Sequence, residues 1–228
     1  MPGCTLVMDT SASPLLVALE KDGKVFSARR TGIKQEKLLF PVLNRLLGKA
    51  EASLPDISRV LIIRGPGRFT GIRIALTFAS MMQMLNHTQV LGVTLFEVLA
   101  YQAQHTRSYP QWCKQHPTGR LAVVLHAFRE EYFLQILDDT HAGPQWLGRG
   151  ELLRQLAQYP LPLFIVGTDS GFQPLEGLLE NQYTLAPYRA CRVQARTLLQ
   201  LAQAEIGTEQ PLEPLYLKPA RFELEGVK

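Results

Sequence analysis

The chain has 228 residues, of which 46% are hydrophobic and 19% charged, with 24 lysines and arginines against 20 aspartates and glutamates. That apolar content excludes a disordered chain, and 17 glycines and 15 prolines without a period exclude a collagen-like or low-complexity one. At roughly 150 residues per domain the length allows one large domain or two small ones.

The net charge of +4 is unevenly spread: residues 1–119 carry 14 basic and 7 acidic side chains, and residues 120–228 carry 10 and 13. Most of the excess lies between Lys21 and Arg73, where 12 basic residues face only Asp22, Glu36, Glu51 and Asp56. Such a half either attracts nucleic acid or an acidic protein, or is simply a solvated surface. Cys4, Cys113 and Cys191 are odd in number, widely spaced and never in a CxxC pair, which points to a reducing compartment rather than to disulfides or zinc. The first ten residues have no basic leader and already contain Asp9, and the longest apolar stretch, Ile74 to Leu85, falls short of the ~20 residues a bilayer span needs. A cytoplasmic protein without a membrane segment is expected.

Along the chain, Thr5 to Met8, Leu15 to Leu19 and Lys24 to Ala28 read as strands, the last two joined by the hairpin signal Lys21-Asp22-Gly23. From Lys37 to Lys49 the period becomes helical, with Pro41 expected in the first turn. A strand over Arg59 to Arg64 leads into the glycine loop GPGRFTG at residues 65–71 and a helix to about Asn86. Val90 to Val93 is a further strand, and Thr94 with Glu97 forms a capping box for a helix ending near Gln104. The segment 108–119, with Pro110, Pro117 and Gly119, reads as a linker.

The second half follows the same plan. Strands are expected at Arg120 to Phe128, Tyr132 to Leu137 and Gln145 to Leu147, then a helix over Glu151 to Gln158. The strand Leu163 to Val166 runs into a second glycine-containing loop, Gly167 to Gly171. Val193 to Ile206 reads as an amphipathic helix, followed by a tail whose Pro211, Pro214 and Pro219 enforce an extended path. A repeated βββαβα unit predicts an α/β protein of two duplicated domains, 1–107 and 108–228, the plan of actin, Hsp70 and sugar kinases.

Candidate chemistry is sparse. GPGRFTG is neither a P-loop nor a GxGxxG loop, so it is either a tight strand-to-helix connection or an anion-holding helix N-terminus. On that second reading Asp9, Thr10, Gly65, Gly67, Arg68 and Thr70 are the candidate nucleotide or anion contacts. Asp9 ends the first strand where actin-like kinases place an acid, but the corresponding strand of the second half ends Leu125-His126-Ala127-Phe128, without a carboxylate. An intact ATP site and a two-metal nuclease site are both disfavoured. The histidines at 87, 105, 116, 126 and 141 form no HxxH or HxxxH pair, so no helix-borne metal site is expected, and Asp169-Ser170-Gly171 is not a GxSxG nucleophile elbow.

The two helices of the first half are wider in their apolar coverage than a one-sided stripe. Leu39, Val42, Leu43 and Leu46 on one, and Ile74, Phe78, Met81, Met82 and Leu85 on the other, are expected either to be sandwiched within their own domain or to contact a partner as well as the core. Three of the five methionines lie between Met81 and Met84, suited to an adaptable interface.

Leu6-Val7-Met8-Asp9-Thr10-Ser11, Leu39-Phe40-Pro41, Gly65 to Ile74, Leu91 to Leu95 and Pro214-Leu215-Tyr216-Leu217-Lys218 together resemble the TsaB (YeaZ) family over the whole chain, most closely to residue 105. The resemblance implies an actin-like (ASKHA, ribonuclease H-like) fold and a non-catalytic subunit of the machinery that makes threonylcarbamoyladenosine on tRNAs reading codons that begin with A. It implies a TsaD-like catalytic subunit as partner, bound through the first-domain helices, a TsaE-like ATPase in the same complex and tRNA reached indirectly; whether the chain alone is a homodimer is left open by the sequence. It implies no tightly bound cofactor, ATP being placed at the complex junction if anywhere. The chain departs from the family pattern at Gln35-Glu36, Arg68 and His126-Ala127-Phe128, which bears on nucleotide contact, and keeps Glu131. A kinase-like ATP-dependent enzyme, a peptidase and a tRNA-binding module are the alternatives, resting on Asp9, the glycine loop and the basic stretch.

Overall fold

The computed structural model describes residues 3–32, 35–137, 143–168, 175, 179, 183–208 and 212–218. Two five-stranded mixed sheets organise the chain. The first comprises β1 (Cys4–Asp9), β2 (Leu15–Lys21), β3 (Lys24–Arg30), β4 (Ile57–Ile63) and β5 (Gln89–Val93), in the order β3-β2-β1-β4-β5. The second comprises β6 (Arg120–Phe128), β7 (Glu131–Ile136), β8 (Gln145–Gly148), β9 (Leu163–Thr168) and β10 (Thr184–Leu185), in the order β8-β7-β6-β9-β10. The first three strands of each sheet are antiparallel neighbours and the last two add in parallel, so the duplication expected from element order is present in the strand pairing itself.

Local chemistry explains the elements. Asp22 and Gly23 both adopt positive φ between β2 and β3, the geometry a two-residue hairpin needs, and Lys21 pairs with Lys24 across it. Helix α1 (Gln35–Lys49) contains Pro41 well inside, not in its first turn. The proline lies on the exposed side of the helix, as does Lys37 four residues before it, whose carbonyl loses its helical donor. Helix α2 (Phe69–Asn86) ends as His87 turns to φ 51, and α3 (Leu95–Gln104) follows β5. The segment expected to be a linker contains helix α4 (Ser108–Gln115), because Trp112 is buried against Phe164 and anchors it. Helices α5 (Arg149–Gln158) and α6 (Ala195–Gln203) complete the set. Residues 169–171 of the second glycine loop, Pro211 and Pro219 lie outside the described residues.

The chain divides into two compact units, Met1–Leu95 with Val193–Leu215, and Phe96–Arg192 with Tyr216–Lys228. Each unit thus has two segments, whereas the expected halves were cut once. The reason is packing: α6 lies against β1, β2 and β4 of the first sheet. In the first unit one sheet face, with Leu6, Met8, Val17, Val60 and Ile62, meets α1 and α2. In the second unit Val124, Leu134 and Ile165 pack with Leu152 and Leu156 of α5.

Candidate functional site

The end of β1 and the glycine loop are tied together in the first unit. Thr10 is fully buried and its Oγ1 donates to the Gly71 carbonyl at 2.7 Å. The Arg68 N–H donates to the Ser11 carbonyl at 2.7 Å. A Cβ on Gly67 would stand 2.5 Å from the Ser11 carbonyl oxygen, and one on Gly71 would stand 1.8 Å from that of Thr10. These glycines therefore serve close backbone approach between loop and strand. Gln35, at the start of α1, joins the same knot by donating its side-chain amide to the Ala12 carbonyl.

Asp9 is buried, and its Oδ1 accepts the Ser11 N–H at 2.9 Å and the Ser11 hydroxyl at 2.6 Å. Burial holds this carboxyl above its ordinary value, a shift that the Ser11 hydrogen bonds and the Arg29 charge oppose but do not cancel. A phosphate cradle needs backbone donors aimed outward and space beside its glycines. Here the space beside Gly67 and Gly71 is filled by Thr10 and Ser11, and the Arg68 N–H is already used. These contacts make the loop a tight strand-to-helix connection at Gly67 and Gly71, with Gly67 itself exposed. Arg68 and Thr70 are exposed, while Gly65 is buried. Among the described residues no group of three or more His, Cys, Asp and Glu could hold a metal ion.

In the second unit His126 donates from Nε2 to the Arg129 carbonyl, 2.8 Å away, and its ring meets Tyr132 edge-on. Phe128 is exposed, and Glu131 pairs with Lys218.

The residues expected to meet a partner separate into two groups. Leu39, Val42, Leu43, Leu46, Phe78 and Met82 are at most 7% exposed and belong to the first unit's core, so they do not themselves present a surface. The physical reason is the second helix layer: α1 and α2 share one sheet face and also touch each other, which consumes more of each circumference than a one-sided helix would bury. Ile74 and Met81 are half-buried, and Leu85 is 77% exposed. Sequence reasoning omitted Met84 and Phe40 from this group, although they are 78% and 47% exposed. Phe40 of α1 meets Phe78 of α2 edge-to-face with ring centroids 6.1 Å apart. Ile74, Phe78, Met81 and Leu85 recur at i, i+4, i+7 and i+11 and so share one side of α2, which Phe40 of α1 meets at Phe78.

Two units of the same mixed topology, with antiparallel β1–β3 and parallel β4 and β5 repeated in β6–β10, define the duplicated actin-like α/β class. Residues 31–141 match the family model described as TsaD, tRNA N6-adenosine threonylcarbamoyltransferase. The chain is 24% identical over 229 residues, 98% of its length and 97% of the relative's, to the tRNA threonylcarbamoyladenosine biosynthesis protein TsaB of Bacillus subtilis. It is 29% identical over 104 residues to TsaB of Buchnera aphidicola from Schizaphis graminum, covering 45% of this chain and 50% of that one. Against TsaB of Escherichia coli it is 27% identical over 137 residues, 60% of this chain and 56% of the relative. Among solved structures, YeaZ from Pseudomonas aeruginosa superposes with a TM-score of 0.65 at 24% identity, over 94% of this chain and all of that one. These likenesses support an assignment to the TsaB/YeaZ family of tRNA threonylcarbamoyladenosine biosynthesis. Among the described residues no helix is long and apolar enough to cross a membrane.

Proposed function

We propose that the chain is a non-catalytic subunit that binds a TsaD-type catalytic subunit through the outer face of α1 and α2, and so supports threonylcarbamoyladenosine formation on tRNA. The observation that carries this reading is the exposure of large apolar side chains on these two helices: Phe40, Met84 and Leu85 are exposed, and Ile74 and Met81 are half-buried. Contiguous apolar surface of this kind marks interaction sites, and unbranched methionines adapt to a facing surface. The likeness to TsaB proteins and the match to the TsaD family model suggest the kind of partner. Asp9, internally satisfied by Ser11, and the closed glycine loop favour a supporting role over chemistry by this chain.

In this reading the TsaE-type ATPase and tRNA join through the assembled complex, and a second copy of the chain competes for the same face when the partner is scarce. Phe40→Asp tests it by co-purification. The variant should remain folded, since Phe40 is 47% exposed, yet retain a TsaD-type subunit at least tenfold less well than the wild-type chain. Equal retention by a folded variant would overturn the assignment of the face.

A further inference from the structure

The β8 side of the second unit's sheet carries a side-chain cluster that the proposed function does not use. Glu131 of β7 lies opposite Phe128 of β6 and also opposite Gly148 of β8, so these positions share one sheet face. A bulge sets the first pairing: His126 opposes Tyr132 and Phe128 opposes Glu131, which leaves Ala127 as the extra residue. In an unbroken register Ala127 would stand opposite Glu131 instead of the Phe128 ring. The alternate residues Tyr132, Leu134 and Leu147 pack in the core with α5, which puts Glu131 and Trp146 on the other face. A Cβ on Gly148 would meet nothing within 4 Å, so the place opposite Glu131 on β8 is open.

An ammonium lies against this cluster. Lys218 pairs with Glu131, and its Nζ stands 5.7 and 5.2 Å from the ring centroids of Phe128 and Trp146. Tyr216–Lys228 belongs to the second unit, so cation and receptor are parts of one compact body. The adjacent Glu130 turns instead to Arg149, at 3.4 Å, and Arg129 stands 5.1 Å from the same Phe128 ring. Trp146 Nε1 is buried and has no hydrogen-bond partner among the described residues, so the indole serves the cation with its π face and not with its donor. One carboxylate and two ring faces suit a compact point charge on an apolar stem. The side chains of Lys218 and Glu131 are 35% and 27% exposed, so the occupant is only partly desolvated and can exchange.

We infer that Phe128, Glu131 and Trp146 form a receptor for a primary alkylammonium group, which the chain's own Lys218 occupies and which an external aliphatic amine enters when Lys218 leaves. Tethering gives Lys218 a high effective concentration at the site, so it acts as a built-in competitor. The inference does not depend on which partner the apolar side of α1 and α2 meets.

NMR of the whole chain tests it, with n-butylammonium chloride as the probe because it reproduces a lysine's four-carbon stem and charge. In Lys218→Ala the indole N–H resonance of Trp146, assigned by its loss in Trp146→Phe, should shift saturably, with half-saturation at about 10–100 mM. Lys218→Ser vacates the receptor in the same way and should respond alike. The wild-type chain should need about tenfold more probe or beyond, because Lys218 competes. Adding Glu131→Gln to Lys218→Ala should weaken the response about threefold or more. Neutral n-butanol, and sodium chloride at matched ionic strength, should give no saturable shift. No saturable shift in folded Lys218→Ala and Lys218→Ser would overturn the receptor. So would equal half-saturation in wild type and variants, or an equal response to n-butanol, because either reports binding that Lys218 and its charge do not govern.

Discussion

Asp9 accepts both the backbone N–H and the hydroxyl of Ser11 on a single carboxylate oxygen, at 2.9 and 2.6 Å, two residues apart in sequence and wholly within the first unit. An acid at the end of the first strand is thus turned into part of a turn. Burial raises its folded-state pKa above the ordinary 3.8 despite those bonds. A raised carboxyl stabilises the fold fully below its unfolded value, and that contribution is lost as pH rises through the folded value. Asp9→Asn keeps an acceptor for Ser11 and carries no charge. Its stability relative to wild type should therefore improve as pH is raised from about 4 to 8. Denaturant unfolding at a series of pH values measures this, and a difference that is flat with pH would contradict it.

The contact between Thr10 and Gly71 should be intolerant of added bulk. Gly71→Ala sets a methyl 1.8 Å from a backbone oxygen that has no free end to move, so the change should cost about 3 kcal/mol. Thr10→Val keeps the shape and removes only the 2.7 Å hydrogen bond, for about 1 kcal/mol. Midpoints in urea should rank wild type, Thr10→Val, Gly71→Ala.

Core and surface positions of α2 should part company although both are methionines. Met82 is 3% exposed within the core cluster, so Met82→Ala should cost about 2–5 kcal/mol. Met84 is 78% exposed, and Met84→Ala should stay within about 0.5 kcal/mol. Thermal melts of the two variants provide the comparison. Met82→Asp is for the same reason a folding mutant, not a probe of an interface.

The three cysteines should differ in reactivity. Cys4 and Cys191 are buried, Cys113 is half-buried, and burial pushes the Cys4 thiol further up from its ordinary value. A thiol reagent applied to the native chain should modify Cys113 first and reach Cys4 only on unfolding, as followed by mass spectrometry of peptides.

Much of the fold was legible because each strand is a short apolar run bounded by turn residues, and Asp22-Gly23 names its own hairpin. What failed was whatever depends on distant sequence. Nothing local announces that Thr10 bonds to Gly71, that α6 returns to the first sheet, or that Trp112 converts an expected linker into a helix. The same limit applied to the interface. Periodicity marked α1 and α2 as apolar on more than one face, but the inward Leu43 and outward Phe40 differ only in which side meets the sheet. The contacts of Lys218 were invisible for a related reason: Phe128, Glu131 and Trp146, which meet it in the second unit, are far from it in sequence.

In the proposed function the chain acts by binding a catalytic subunit through the α1 and α2 face. The most direct measurement is tRNA threonylcarbamoylation by a TsaD-type subunit titrated with wild-type chain or with Leu85→Asp, whose side chain replaces one that is 77% exposed. Burying an unpaired carboxylate in an interface should cost about 3 kcal/mol, so the variant should need on the order of a hundredfold more protein for half-maximal activity and approach the same plateau. Overlapping titration curves for the two proteins would contradict the account.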